Sequence, residues 1–313
     1  MMRTLLTIAA ALVAMAAPTW AGPGTALGIG VGHSELKDAS KAGEEAAKQA
    51  KQALKGKTAD VVLVFDCVED KQAMLDAVAG HFDSKKIYGC SAYNAITQVS
   101  PSGTVGVLAL TGVQVDAALS TLDGGHEACG RRIGEALKPA ALKTKDRGQL
   151  MVLIGDCHYP INQQLVDGVC GVLGEKFPIS GGAATGGLAY YEGKIQKKSN
   201  LGLLLSGDFT CSFAIKKAKT TEPMDVVNAA GEAFRKAVGD KKDKLQMVFA
   251  FDCGGRRGQM KDQRPLEVEQ MKEAAGAVPI FGFYGSGETG RDGNDAPPQG
   301  VGYHICAAAI FSE

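Results

Sequence analysis

The side chains in this sequence best suited to chemistry stand at the ends of three apolar runs. Asp66-Cys67 closes DVVLVF, Asp156-Cys157 closes QLMVLIG, and Asp252-Cys253 closes LQMVFAF. A carboxylate beside a thiol can hold a ligand's amine or cap a helix. Given a nearby base and an oxyanion-stabilising group, the thiol can also act as a nucleophile. The third copy carries the most equipment. Gly254-Gly255 offers backbone amides, Arg256 and Arg257 offer guanidiniums whose planar fork matches a carboxylate, and Glu288 follows in a second glycine turn. Alternation along a strand sends an Asp and the adjacent Cys to opposite faces, so only one of each pair can face a cleft. These residues define an expected ligand site, with Arg256 taking a carboxylate and Glu288 an amine. Asp252, Cys253, Asn94 and Tyr284 surround them. An internal Arg-Glu ion pair is the purely structural alternative, and a turn or N-cap carboxylate is the corresponding alternative for each Asp.

Other chemistries lack their signatures. The five histidines, His33, His81, His126, His158 and His304, show no metal-ligand spacing, and no CxxC or CxxCH occurs. GFYGSGETG, residues 282–290, is glycine-rich but runs toward a strand rather than into a helix, so it does not read as a phosphate cradle. With 34 basic and 34 acidic residues the chain has no net field for nucleic acid or anionic lipid.

The elements that must position these residues repeat three times. The Asp-Cys pairs recur at intervals of 90 and 96 residues. Each is preceded by a strand and an alanine-rich helix. Each is followed by an amphipathic helix, a short run into glycine (KIYG, PISG, PIFG), a small polar turn and a long apolar strand. The predicted fold is α/β: three repeated β-α-β-α-β-β modules forming mixed sheets flanked by helices, spanning 22–112, 113–208 and 209–313. Cys67, Cys157 and Cys253 should then occupy equivalent strand ends, gathered with the glycine turns on the side where open α/β sheets bind ligands. The segment after Cys253, residues 254–264, reads as an open excursion before a helix at 265–275.

Residues 1–21 read as a secretory signal peptide, with a basic start, an apolar run over 5–17 and small residues before Gly22. That run is too short to span a bilayer and no later one is long enough, so the expected location is periplasmic or secreted, without membrane insertion. Eight cysteines in an exported chain invite disulfides, and Cys67 with Cys90 is the best single pairing, while Cys157 and Cys253 should be unbridged.

Three segments resemble the FIST family: residues 60–94, with their strand, helix and glycine turn; FDCGGRR at 251–257; and PIFGFYGSGE at 279–288. The resemblance divides the mature chain into an N-terminal region, 22–208, and a C-terminal region, 209–313. It implies a sensory domain that binds a small molecule, with amino acids as ligand class; with the arginine reading, the charge balance and the export signal, the expected partners are an amino acid or small carboxylate and a membrane sensor protein, and no nucleic acid. It also implies that heme is a possible cofactor. Two alternatives accompany this reading: an enzyme using Cys253, and a heme-binding gas or redox sensor using His304 or a cysteine.

Overall fold

The structure is a computed structural model that describes residues 13–15 and 27–313. The signal-peptide reading of residues 1–21 lies outside the described residues except for β1 (Val13–Met15), an edge strand antiparallel to β7. The first module contains β2 (Gly28–Ser34), α1 (Ala39–Ala53), β3 (Val61–Asp66), α2 (Lys71–Ala79), β4 (Ile87–Ser91), β5 (Asn94–Thr97) and β6 (Val105–Thr111). The second contains β7 (Val113–Thr121), α3 (Gly125–Lys143), β8 (Gly148–Gly155), α4 (Asn162–Leu173), β9 (Ile179–Ala183), β10 (Leu188–Tyr191), β11 (Lys194–Lys197) and β12 (Ser199–Gly207). The third contains β13 (Phe209–Lys217), α5 (Pro223–Val238), β14 (Leu245–Cys253), α6 (Gly254–Met260), α7 (Arg264–Ala275), β15 (Ile280–Gly285), β16 (Glu288–Gly290), β17 (Gln299–Val301) and β18 (His304–Ser312).

The three modules build the same four-stranded unit, in the orders β2-β6-β3-β4, β7-β12-β8-β9 and β13-β18-β14-β15. Each unit is completed by another module. β5 of the first module adds to β15 of the third, β10 and β11 of the second add to β4 of the first, and β16 and β17 of the third add to β9 of the second. This exchange runs in one direction around the molecule, so the three sheets close on one another with the symmetry of a ring. The sequence places the small polar turn correctly but shows no strand within it, and the exchanged strands are the feature it misses.

Period-two alternation then divides the residues between two kinds of core. Val61, Leu63 and Phe65 of β3, Leu150, Val152 and Ile154 of β8, and Met247, Phe249 and Phe251 of β14 all point into one central core shared by the three sheets. Val62 and Val64, Met151 and Leu153, and Val248 and Ala250 point outward into three separate cores beneath the helices. Phe65 joins two modules at the centre, its ring centroid 4.6 Å from that of Phe283 and 6.4 Å from that of Phe251. Burying each such ring contributes roughly 1.5–3 kcal/mol, so the centre is held by residues that make no polar contact.

The strand register corrects one expectation. Gly89, Gly181 and Gly282 lie against the backbone of Val64, Leu153 and Ala250, where a Cβ would come within 1.7–1.9 Å of the carbonyl oxygen. These glycines fix the true equivalence of the modules. Two residues beyond Val64, Leu153 and Ala250 stand Asp66, Gly155 and Asp252; three residues beyond stand Cys67, Asp156 and Cys253. Cys157 is therefore displaced by one position, and Asp156 takes the place that cysteine holds in the other modules. The expected Cys67–Cys90 disulfide is absent as well. All eight cysteines are free, and Cys90 is paired in register with Phe65 within the central core.

Candidate functional site

Because Cys67, Asp156 and Cys253 share the parity of Phe65, Ile154 and Phe251, they face the molecule's axis at the carboxyl ends of the parallel strands. All three are half-buried. Asp66 and Asp252 face the other way, under the helices.

The outward face of the third module is a closed ionic frame. Arg256 is fully buried, its Nε donating to Asp252 Oδ1 at 2.6 Å and its Nη2 donating to Glu267 Oε1 at 2.9 Å and to the Val226 carbonyl at 3.0 Å. Burial opposes the Arg256 charge, but Asp252 and Glu267 outweigh it and hold the guanidinium firmly protonated. Tyr284, also fully buried, donates its hydroxyl to Glu267 Oε2. Burial and then Asp252 push the Glu267 carboxyl well above its ordinary range, while Arg256 and the Tyr284 hydroxyl draw it back. Helical phase explains the placement. Residues 254–260, read from sequence as an open excursion, form α6, and Arg256 and Met260, four apart, share its buried face. The structural alternative thus describes Arg256, with Asp252 and Glu267 rather than Glu288 as its acids. Asp252 and Tyr284 belong to the same frame.

On the axial face, Glu288 is fully buried at the start of β16, in the position held by Ala95 and Ala189 in the other modules. Its Oε2 accepts the His304 amide at 3.0 Å. Burial raises its carboxyl well above the ordinary range, Asp252 adds to the effect, and the His304 amide, the Cys253 thiol and Arg256 offset it only in part. Burial thus works against the carboxylate that the sequence reading placed here for an amine. Cys253 beside it receives hydrogen bonds from the Gly255 and Tyr303 amides, yet its thiol is pushed up to about 11, by burial first and Glu288 second. Tyr303 holds a left-handed backbone with φ of 63°, costing on the order of 1–3 kcal/mol for an aromatic residue, a kind of strain that collects at functional sites.

The junction of the first and third modules adds a basic group. Arg257, one residue past Arg256 and so turned away from the frame, is half-buried; burial and then Arg264 lower its basicity. Among the described residues neither Arg257 nor Arg264 forms a side-chain hydrogen bond or an ion pair with any acid. Arg257 acts on the thiol of Cys67, which accepts from Asn94 Nδ2 at 3.5 Å. Asn94 also donates to the Gly103 carbonyl at 3.2 Å. The Tyr93 ring lies so close on Gly254 that a Cβ there would meet it at 2.3 Å, and the Tyr303 ring covers Gly255. The Gly-Gly step is thus the floor between two tyrosines.

One property unites these groups. Nearly all buried polar atoms in folded proteins have a hydrogen-bond partner. Here Asn94 Oδ1, Arg256 Nη1, Arg257 Nε, Arg264 Nε, Glu288 Oε1 and Tyr303 Oη are buried without one. Five of these belong to the strand-end side of the third module and its junction with the first, Arg256 Nη1 lies in the frame behind them, and Asn162 Oδ1, Thr185 Oγ1 and Tyr191 Oη of the second module are unpartnered too. Of the six residues assigned from sequence, the structure brings Cys253, Glu288 and Asn94 to this side and places Asp252, Arg256 and Tyr284 in the frame behind it. Arg264, Glu267, Tyr93 and Tyr303 were not assigned from sequence. Tyr303 stands in no motif, and only the Gly302-Tyr303 step before β18 hints at a turn. A cavity of about 510 Å³ is lined by Lys37, Cys67, Asp70 and Thr104, and one of about 300 Å³ lies between Lys51, Lys57 and Lys86. Among the described residues no cluster of three His, Cys, Asp or Glu is placed to hold a metal, and no helix is long and apolar enough to cross a membrane.

Comparison with known proteins gives a family and a set of structural neighbours. The FIST N domain matches residues 60–233 and the FIST C domain matches residues 212–291. No curated protein matches the chain in sequence. A cyanuric acid hydrolase structure, described as an evolutionary innovation by structural concatenation, is similar over 92% of this chain and 100% of its own, at 11% identity and a TM-score of 0.47. The cyanuric acid hydrolase from A. caulinodans is similar over 92% and 99% of the two chains, at 12% identity and a TM-score of 0.46. A chorismatase is similar over 92% and 99%, at 8% identity and a TM-score of 0.42.

Proposed function

This chain belongs to the FIST family, and from that premise we propose that it is an exported sensory protein that binds a small carboxylate at the strand ends of its third module. The carrying observation is the set of five buried polar atoms without partners on that side, three of them on Arg257, Arg264 and Tyr303. Arg257 and Arg264, with no acid of their own, take the ligand's carboxylate as paired guanidiniums do. Tyr93 and Tyr303 wall its body above Gly254-Gly255, and Asn94 closes the side toward the first module. Arg256 is the support from which this surface is built rather than its principal contact.

The thiol of Cys253, at about 11, is almost wholly protonated at neutral pH, which weighs against a resting nucleophile and for binding without turnover. Export rests on the reading of residues 1–21, and a periplasmic or secreted binder of this kind would report to a membrane sensor protein. A thermal-shift screen of small carboxylates, amino acids and heme against the purified chain tests the ligand class. A rise in melting temperature with carboxylates supports it, and a response to heme alone sinks it. A chain recovered from the extracytoplasmic fraction should begin at Gly22.

A further inference from the structure

We infer that the first module carries a second ligand site, for a small monoanion with an aromatic or short apolar body, at the amino ends of β3 and β4. It shares no residue with the strand-end surface and is independent of that reading. The cavity of about 300 Å³ lies where the last turn of α1, the approach to β3 and the chain leaving α2 meet. Its floor is apolar: Val62 and Ala59 are buried, and Phe82 packs against the same helix-covered core. Its rim is basic. Lys51 comes from α1, Lys57 from the turn before β3 and Lys86 from just before β4. Among the described residues none of the three forms an ion pair. Lys86 donates to the Ala59 carbonyl at 2.7 Å, and Lys51 and Lys57 have no side-chain hydrogen bond. Asp83, the acid in the lining, accepts from the Lys85 amide, and His81 pairs with Glu44.

The other two modules show what this place in the fold does when it is smaller or closed. Between the ends of α3 and α4 and the start of β8 the second module has a cavity of about 200 Å³, lined by Lys138, Lys145, Leu142 and Phe177. The third module fills the place with its own chain. Lys242 lays its stem on Gly276, where a Cβ would meet Cε at 3.3 Å, and donates to the Glu273 carbonyl at 3.3 Å. Carbonyls at a helix C-terminus favour a nearby cation, which accounts for Lys51 in the last turn of α1. They do not account for Lys57 and Lys86, which lie outside both helices. In the first module three lysines already meet the helix ends, and what stays open is room for their counter-ion. At about 300 Å³ that room reaches the size at which ligand pockets begin. A molecule that covers Val62, Ala59 and Phe82 while presenting one negative charge to the lysines satisfies floor and rim together. Inorganic phosphate reaches only the rim, and a neutral apolar molecule only the floor.

Benzoate is the probe, titrated into protein labelled at its valine methyl groups so that the NMR signals of Val62 report on the floor. Benzyl alcohol keeps the ring without the charge, and inorganic phosphate keeps the charge without the ring. Benzoate should shift the Val62 signals and bind at least about tenfold more tightly than either. The double substitution Lys51→Met and Lys57→Met should weaken benzoate at this site by at least about tenfold. Its unliganded melting temperature should stay within a few degrees of wild type, because both lysines are exposed and neither is in an ion pair. Arg257→Ala should leave the Val62 response unchanged, which separates this site from the strand-end one. Val62 signals that ignore benzoate, that respond equally to benzyl alcohol, or that respond undiminished in the double variant would overturn the inference and leave the strand-end reading untouched. Loss of the Val62 response in Arg257→Ala would overturn it as well, by tying that response to the other site.

Discussion

The first and third modules end their central strands in the same dipeptide, hold it alike and diverge beyond it. Asp66 and Asp252 both point under the helices, and each is held by a cation from the following turn, Lys71 at 2.8 Å and Arg256 at 2.6 Å. In the first module the arrangement stops there. Lys71 and the Tyr190 hydroxyl, brought by the exchanged strand β10, occupy Asp66, and the chain proceeds into α2. In the third module a second arginine follows the first, a short helix turns it toward the axis, and Glu288 arrives on β16. The shared Asp-Cys therefore belongs to the scaffold. What distinguishes the third module is what it adds beyond it.

The largest effect that would sharpen this contrast is on stability. Arg256→Met leaves Asp252 and Glu267 buried without their cation and should destabilise the protein by about 3–5 kcal/mol in urea unfolding. Lys71→Met, at a partner that is partly exposed and shared with Tyr190, should cost less, on the order of 1–3 kcal/mol. Equal losses would erase the distinction between the two strand ends.

A smaller effect concerns Glu288. Its folded-state carboxyl is raised above 4.5 by burial, so the folded protein keeps a proton that the unfolded chain loses as pH increases. The stabilising contribution is complete below about pH 4.5 and is lost progressively as pH rises toward the folded-state value. Glu288→Gln has no proton to lose. It should melt at a higher temperature than wild type at pH 7 and show a flatter dependence above pH 4.5, whereas a lower melting temperature at pH 7 would mean that Glu288 is an ionised partner in the resting protein.

The sequence reached the repeat, the order of strands and helices and the face on which the strand ends gather, because apolar periodicity and recurrent glycines encode all three locally. It mistook the alignment of the second module because Asp-Cys is chemically conspicuous, while the positions that fix register, Gly89, Gly181 and Gly282, are plain. It missed the exchange of strands because β5, β10 and β16 are only three or four residues long and owe their conformation to another module. It chose Arg256 over Arg257 because 254–264 read as an open excursion. Once that stretch is helical, a rotation of about 100° per residue sends one arginine inward and leaves the other at the cleft. Tyr303 was out of reach, since its left-handed backbone has no counterpart in its residue type.

The account depends most on the division of labour between Arg256 and its neighbour, and Arg257→Ala probes it directly. Arg257 has no acid to strand, so the unliganded variant should melt within a few degrees of wild type, as expected for a change below about 0.5 kcal/mol. Its affinity for the small carboxylates that shift the wild type, measured by calorimetric titration, should fall at least about tenfold through loss of one charge-assisted bidentate contact. Unchanged affinity in Arg257→Ala would contradict the site at its centre.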